Sequence, residues 1–295
     1  MDNEHRLLLV HAHPDDESIN NGATMARYAA AGARVTLVTC TRGEFGEILV
    51  PELARLAWDR EDRLGEHRAL ELRDAMKQLG VEDHRFLGEP GEYHDSGMAG
   101  TEGNDRPDAF WRADVDAAAA RLAAVIREVR PQVLVTYNEF GGYGHPDHIK
   151  AHRVATYAAS LAAVPSYRTD LGEAHDIAKI YWGAMSASRM REGLRRLREA
   201  GDTESFEGMD PDNLPPFVTE DENLSAAVDG TDYYDAKMAA LRAHATQITA
   251  DSPFFVMSEG SENDFWGKEF FRIAKGARSA PFDGDGLESD LFNGL

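Results

Sequence analysis

The chain has one cysteine, Cys40, in 295 residues. No intrachain disulfide is available, which fits a reducing, cytoplasmic setting and excludes a zinc site built from several thiolates. Any metal must be held by histidine and carboxylate. Long apolar runs are missing too: nothing approaches the roughly 18–20 residues needed to cross a bilayer. The opening MDNEHRLLLVHAHPDD has neither a basic n-region nor a small-residue cleavage site, so Leu7–Val10 reads as a buried strand and not a signal peptide. Basic residues are scarce, 31 against 52 acidic, for a net charge of -21, and only six of them are lysines. Such a surface repels nucleic acid and anionic membranes, and the expected partner is a small molecule. The acidity itself reads as a solubility feature. A glycine-rich G-x-G-x-x-G phosphate turn is also absent after the first strand, which argues against a nucleotide-binding Rossmann module.

What is present is enough apolar residue, 42%, for a sizeable core. Strand-like runs alternate with helical stripes. Leu7–Val10 precedes a helix with Ile19, Ala23, Ala26 and Ala30 on one face, and Val35–Thr39 is a β-branched strand. A helix over 62–79 stops at Gly80, Phe86–Leu87 is a weak strand, and Val115, Ala118, Leu122, Val125 and Ile126 mark a helix ended by Pro131. Val133–Tyr137 is a strand, and a helix opens at Pro146. This order predicts an α/β fold, a Rossmann-like, mostly parallel sheet with helices on both faces. Residues 1–170 would form the catalytic core. Residues 171–295 would form a smaller α+β portion that completes the sheet and the substrate cleft, with a strand at Ile177–Trp182 and helices at Ser188–Ala200 and Tyr233–Ala243. The acidic 201–231 stretch reads as a surface loop, with at most a short strand at Phe217–Thr219. Gly284–Leu295 reads as an acidic tail.

Two clusters carry chemistry. His11-Ala-His13-Pro-Asp15-Asp16-Glu17 follows the first strand, and Tyr143-Gly-His145-Pro146-Asp147-His148 follows the Val133–Tyr137 strand after a Gly141-Gly142 turn. Each alone also reads as a helix start, with acids in the first turn complementing the dipole. Both fall at carboxyl ends of parallel strands, where ligands of open α/β sheets bind. Two such clusters at one sheet edge predict a metal site of imidazole and carboxylate ligands. Adjacent Asp15 and Asp16 should play different roles, one ligating and one facing substrate. His11 suits a core or supporting position. Asp147 either orients a histidine or caps its helix.

HAHPDDE, TCTRGEFGE and GGYGHPDH together resemble the LmbE-like, PIG-L-type zinc deacetylases, which remove N-acyl groups from amino sugars. EYHDSGMAGT (92–101) and AALRAHATQI (239–248) are most similar to the branch that deacetylates an N-acetylglucosaminyl-inositol in mycothiol biosynthesis. The alternative is its paralogue, the mycothiol conjugate amidase. The resemblance implies that His13, Asp16 and His148 ligate Zn²⁺, with Fe²⁺ compatible, and that Asp15 is the general base. It makes Tyr143 the oxyanion donor, assisted by His145, which otherwise protonates the departing amine. Arg68, Asp95 and Met98 would contact the sugar or inositol. Glu47, by its residue type a surface loop acid, would line the pocket. Asn20 stands where the related deacetylases have serine, which alters one small polar contact. A metal-binding protein without turnover is the remaining rival.

Overall fold

The computed structural model describes residues 4–256 and 264–295. β1 (Arg6–His11), β2 (Arg34–Thr39), β3 (Asp83–Phe86), β4 (Val133–Thr136), β5 (Lys179–Ala184), β6 (Ala226–Asp229) and β7 (Lys268–Lys275) form one sheet in the order β3-β2-β1-β4-β5-β7-β6. β1 to β5 are mutually parallel, and β7 runs antiparallel to both β5 and β6. The helices that matter here are α1 (Asp16–Ala30), α2 (Leu64–Leu79), α3 (Val115–Val129), α4 (Pro146–Ala162), α5 (Ala187–Glu199) and α6 (Tyr234–Ala243).

The pleat of β1 divides the core. Leu8 and Val10 point to one face and pack with Leu122, Ile126, Val154 and Ala158 of α3 and α4. Leu7 and Leu9 point to the other and pack with Met25, Leu72, Met76 and Ala240 of α1, α2 and α6. All four β1 leucine and valine side chains are fully buried, as a parallel strand covered on both faces requires. α1 follows β1 onto one face and α4 follows β4 onto the other. The connections leaving the adjacent, paired strands β1 and β4 therefore run to opposite faces, and this opens a crevice at their carboxyl ends.

The chain beyond residue 170 adds β5, β7 and β6 to the same sheet. The sequence reading assigns no strand at β6 or β7. β6 is only four residues long, and it borders the acidic 201–231 stretch. That stretch is more than a loop: it contains β6, its Thr219 makes one bridge to Ser186, and its acids face the arginine-rich α5. Arg191 pairs with Glu220 at 3.1 Å, Arg195 with Asp212 at 3.3 Å and Arg198 with Asp210 at 3.5 Å. The expected acidic tail at 284–295 is a correction. Leu291 and Phe292 are buried, and the fully buried Glu288 accepts from Lys179 Nζ at 2.7 Å, Tyr181 Oη at 2.7 Å and the Ser279 N–H at 2.8 Å. Its three apolar anchors (Leu287, Leu291, Phe292) and this buried ion pair dock the segment. Among the described residues no helix is long and apolar enough to cross a membrane.

Candidate metal centre and active site

Both sequence clusters open onto the β1/β4 crevice. After His11 the chain turns through Ala12 to Asp15 into α1; after Thr136 it runs through a glycine turn into α4. Gly141 sits at φ 64, and a β-carbon there would press to 2.6 Å from the Ile149 nitrogen and 2.7 Å from the His148 β-carbon. Only glycine lets the turn lie this close to the start of α4. Pro146 is the first helical residue, as expected, and the cap is His145, whose Nδ1 accepts the Asp147 N–H at 3.1 Å.

Three side chains converge. His13 Nδ1 lies 3.3 Å from His148 Nε2 and 3.4 Å from Asp16 Oδ2, and His148 Nε2 lies 3.3 Å from Asp16 Oδ1. The remaining ring nitrogens are committed elsewhere. His13 Nε2 donates to Asp147 Oδ2 at 3.3 Å, and His148 Nδ1 donates to the Gly141 carbonyl at 3.2 Å. With those nitrogens acting as donors, His13 Nδ1 and His148 Nε2 face each other beside the Asp16 carboxylate, and the arrangement calls for positive charge between them. A dication fits it: tetrahedral ligands at about 2.0–2.1 Å from zinc stand about 3.3–3.4 Å apart. Charge says the same. Burial works against a charged His13, but Asp95, Asp147 and Asp16 raise its pKa well above the ordinary value. Burial likewise opposes the Asp16 anion, yet His148 and His13 hold its pKa well below the usual range. The cluster is built to hold positive charge. Ring nitrogens of His13, His145 and His148 also lie within 4.8 Å of one another, as do ligand atoms of His13, Asp95 and Asp147.

Asp147 resolves the two readings of its sequence position. Its carboxylate is fully buried against His13 and Ser96, taking the Ser96 N–H at 2.8 Å and the Ser96 hydroxyl at 2.5 Å. It is the backbone N–H of Asp147, not its side chain, that takes part in the helix cap. Asp95 lies 3.5 Å from His13 Nε2 and accepts the Gly97 and Phe45 N–H groups at 2.8 and 3.2 Å. Its carboxylate is thus largely consumed within the protein.

Asp15 stands apart from the cluster in conformation. Its φ is 102, a value L-residues rarely adopt and one that costs about 1–3 kcal/mol. Arg68 is 3% exposed on α2 and holds it, Nη2 donating to Asp15 Oδ2 at 3.0 Å and to the Pro14 carbonyl, and Nη1 to the Gly43 carbonyl at 2.7 Å. A β-carbon at Gly43 would overlap this guanidinium. Burial pushes the Asp15 carboxyl up to about 6, with Arg68 opposing. His145 departs from the ordinary imidazole range: burial, then His13 and His148, push its pKa down to about 3. With Nδ1 accepting at the cap, the neutral ring carries its proton on Nε2. Tyr143 is half-exposed with its ring 5.0 Å from that of His148, and partial burial raises its pKa, so it remains a protonated donor. Met98 is half-exposed and Glu47 exposed. Asn20 donates to the Asp16 carbonyl at 2.8 Å.

Sequence reading missed Tyr137. Its hydroxyl donates to Asp16 Oδ2 at 2.7 Å and accepts the Ala12 N–H at 2.8 Å, while its ring stacks on His148 at 4.3 Å. Its position just past β4, at the edge where both clusters meet, was the available signal. Ser96 and Glu44 were missed as well; Glu44 Oε2 accepts the Asp95 N–H at 3.0 Å. His11 lies beneath, bonded to Asn21 Oδ1 at 2.9 Å.

Fold and site together define an α/β protein with a histidine–aspartate cluster that could hold a metal at a sheet switch point. Residues 8–159 match the PIG-L family, described as GlcNAc-PI de-N-acetylase, and the chain belongs to that family. It is 69% identical to a 1D-myo-inositol 2-acetamido-2-deoxy-α-D-glucopyranoside deacetylase from Nocardioides sp. (strain JS614), over 99% of both chains. In fold it is similar to the N,N'-diacetylchitobiose deacetylase of Pyrococcus horikoshii (TM-score 0.62, 18% identity, 93% of this chain and 85% of that one). It is equally similar to the 4-carboxy-2-hydroxymuconate hydratase of Pseudomonas putida KT2440 (TM-score 0.62, 20% identity, 95% and 100%). These two neighbours show the fold alone, since one fold carries different reactions.

Proposed function

We propose that the chain hydrolyses the N-acetyl amide of 1D-myo-inositol 2-acetamido-2-deoxy-α-D-glucopyranoside, releasing acetate and the free amino sugar of mycothiol biosynthesis. The enzyme class is a hydrolase of a linear amide C–N bond, and full-length identity to the Nocardioides deacetylase supports the substrate. The chemistry rests on one observation, the approach of His13 Nδ1 and His148 Nε2 to 3.3 Å beside Asp16. These three residues are the ligands, and their borderline donor set suits Zn²⁺ and also accepts Fe²⁺. The lone, buried Cys40 fits a cytoplasmic enzyme.

A dication held there supplies Lewis acidity and acidifies a water toward a pKa of about 7. Asp15 accepts a proton from the attacking water as the new C–O bond forms, its carboxylate held by Arg68. The Tyr143 hydroxyl and the Nε2–H of neutral His145 donate to the carbonyl oxygen as it gains charge. Between the two roles open to His145, its depressed pKa favours this one. Asp15, with a carboxyl near 6, then returns the proton to the amine nitrogen as the C–N bond breaks. Met98 offers an exposed apolar contact for the sugar or inositol, and Glu47 an exposed carboxylate for its hydroxyls; Arg68 and Asp95 serve substrate indirectly, by holding Asp15 and His13.

Acetate release by protein reconstituted with Zn(II) or Fe(II) tests the proposal, with a mycothiol conjugate as competing substrate. Faster turnover of the conjugate would reassign the substrate. No chelator-reversible hydrolysis of either, read as acetate from the N-acetyl sugar and as free amino sugar from the conjugate, would remove the hydrolase reading.

A further inference from the structure

The backbone of Asp15 is held by contacts that run away from the metal cluster. Its N–H donates to Glu17 Oε2 at 3.0 Å. Glu17 Oε1 accepts the Ser18 hydroxyl at 2.6 Å and His244 Nε2 at 2.8 Å. Glu17 and His244 are both fully buried. A carboxylate there needs partners on each oxygen, and the imidazole supplies the strongest of them.

His244 arrives from the end of α6, and the loop after it is clamped to the elements that hold the Asp15 side chain. The Thr246 N–H and hydroxyl donate to Glu71 on α2 at 2.8 and 2.7 Å. Gln247 Nε2 donates to the Glu47 carbonyl at 2.9 Å, and its Oε1 packs where a β-carbon at Gly46 would sit. α2 also carries Arg68, one turn before Glu71. The 244–247 loop thus meets Asp15 from two sides: through Glu17 at the backbone, and through α2 and Arg68 at the carboxylate.

We infer that His244 is a positioning residue for the deacetylation: through Glu17 it fixes the left-handed backbone of Asp15 and so aims the Asp15 carboxylate at the reacting water. The inference rests on the reading of Asp15 as the base. Without the His244 contact, Glu17 turns, the Asp15 N–H loses its acceptor, and the strained φ relaxes. The metal ligands keep their own partners: Asp147 and Gly141 for the histidines, Tyr137 for Asp16.

The test is a mutant cycle on the metal-loaded enzyme, reading kcat, KM and bound metal. His244→Leu lowers kcat about 10–100-fold, as expected for a misplaced catalytic group, with KM and metal content unchanged. His244→Gln, which returns an N–H near the position of Nε2, recovers most of that loss. In an Asp15→Asn background His244→Leu causes no further loss. Should His244→Leu fail to fold, Glu17→Gln replaces it in the same cycle. An equal further loss in the Asp15→Asn background, unchanged kcat in the single variant, or metal loss in His244→Gln overturns the inference. Wild-type kcat in Asp15→Asn alone would instead remove Asp15 as the base, a separate result.

Discussion

Asp147 Oδ2 lies 3.3 Å from His13 Nε2 and 2.8 Å from the Ser96 N–H, so one fully buried carboxylate links the loop after β3 to an imidazole of the proposed metal site. Such a partner fixes the tautomer that leaves His13 Nδ1 free and raises its basicity. Asp147→Asn is expected to weaken metal binding about 10–100-fold in a chelator competition. Ser96→Ala, which removes only one bond to that carboxylate, should weaken it less. Equal affinity in Asp147→Asn and the parent would detach this pair from the metal centre.

The pH dependence follows from the proposed role of Asp15 as base. As a base it works only when ionised, and burial raises its pKa to about 6 against the lowering effect of Arg68. kcat/KM should therefore fall as pH drops through about 6. In Arg68→Met the opposing charge is gone, so the acid limb should move to higher pH. A limb that stays in place, or moves down, argues against Asp15 as the titrating group.

In the proposed reaction Tyr143 meets charge that develops only as the carbonyl is attacked. Tyr143→Phe is expected to lower kcat by about 10²-fold while KM changes little. Steady-state kinetics decide it: a rise in KM at constant kcat would make Tyr143 a ground-state contact.

The docked C-terminus gives a stability prediction. Glu288→Ala leaves Lys179 buried with no carboxylate and should cost about 3–5 kcal/mol in urea unfolding. Replacing both partners, with Lys179→Met and Glu288→Leu together, should cost less than Glu288→Ala alone. Additive losses would show that the pair is not coupled.

Much of this protein could be read directly from the sequence. The fully apolar run Leu7–Val10, the 3.6-residue stripe of α3 and the stops at Gly80 and Pro131 are local signals, and each appears within a few residues of its expected place. The clusters at His13–Asp16 and Tyr143–His148 were legible because a parallel strand followed by a helix carries its loop to one known edge of the sheet. Local pattern did not reach β6, β7 or the segment at 284–295. Their stability comes from partners far along the chain, such as Lys179 for Glu288, 109 residues away.

The proposed metal triad shows the same division. Its residue types were set by sequence, but each half also reads as a helix start. Only the tertiary structure faces His13 Nδ1 toward His148 Nε2, because the second nitrogen of each ring is claimed by Asp147 or Gly141. Likewise Arg68, by its sequence position an ordinary solvated helix residue, is buried because Gly43 leaves room for its guanidinium beside Asp15. Composition and spacing depend on the chain alone. A ring's tautomer, a carboxylate's pKa and a strained φ depend on which groups the fold brings within about 3 Å, where hydrogen bonds form.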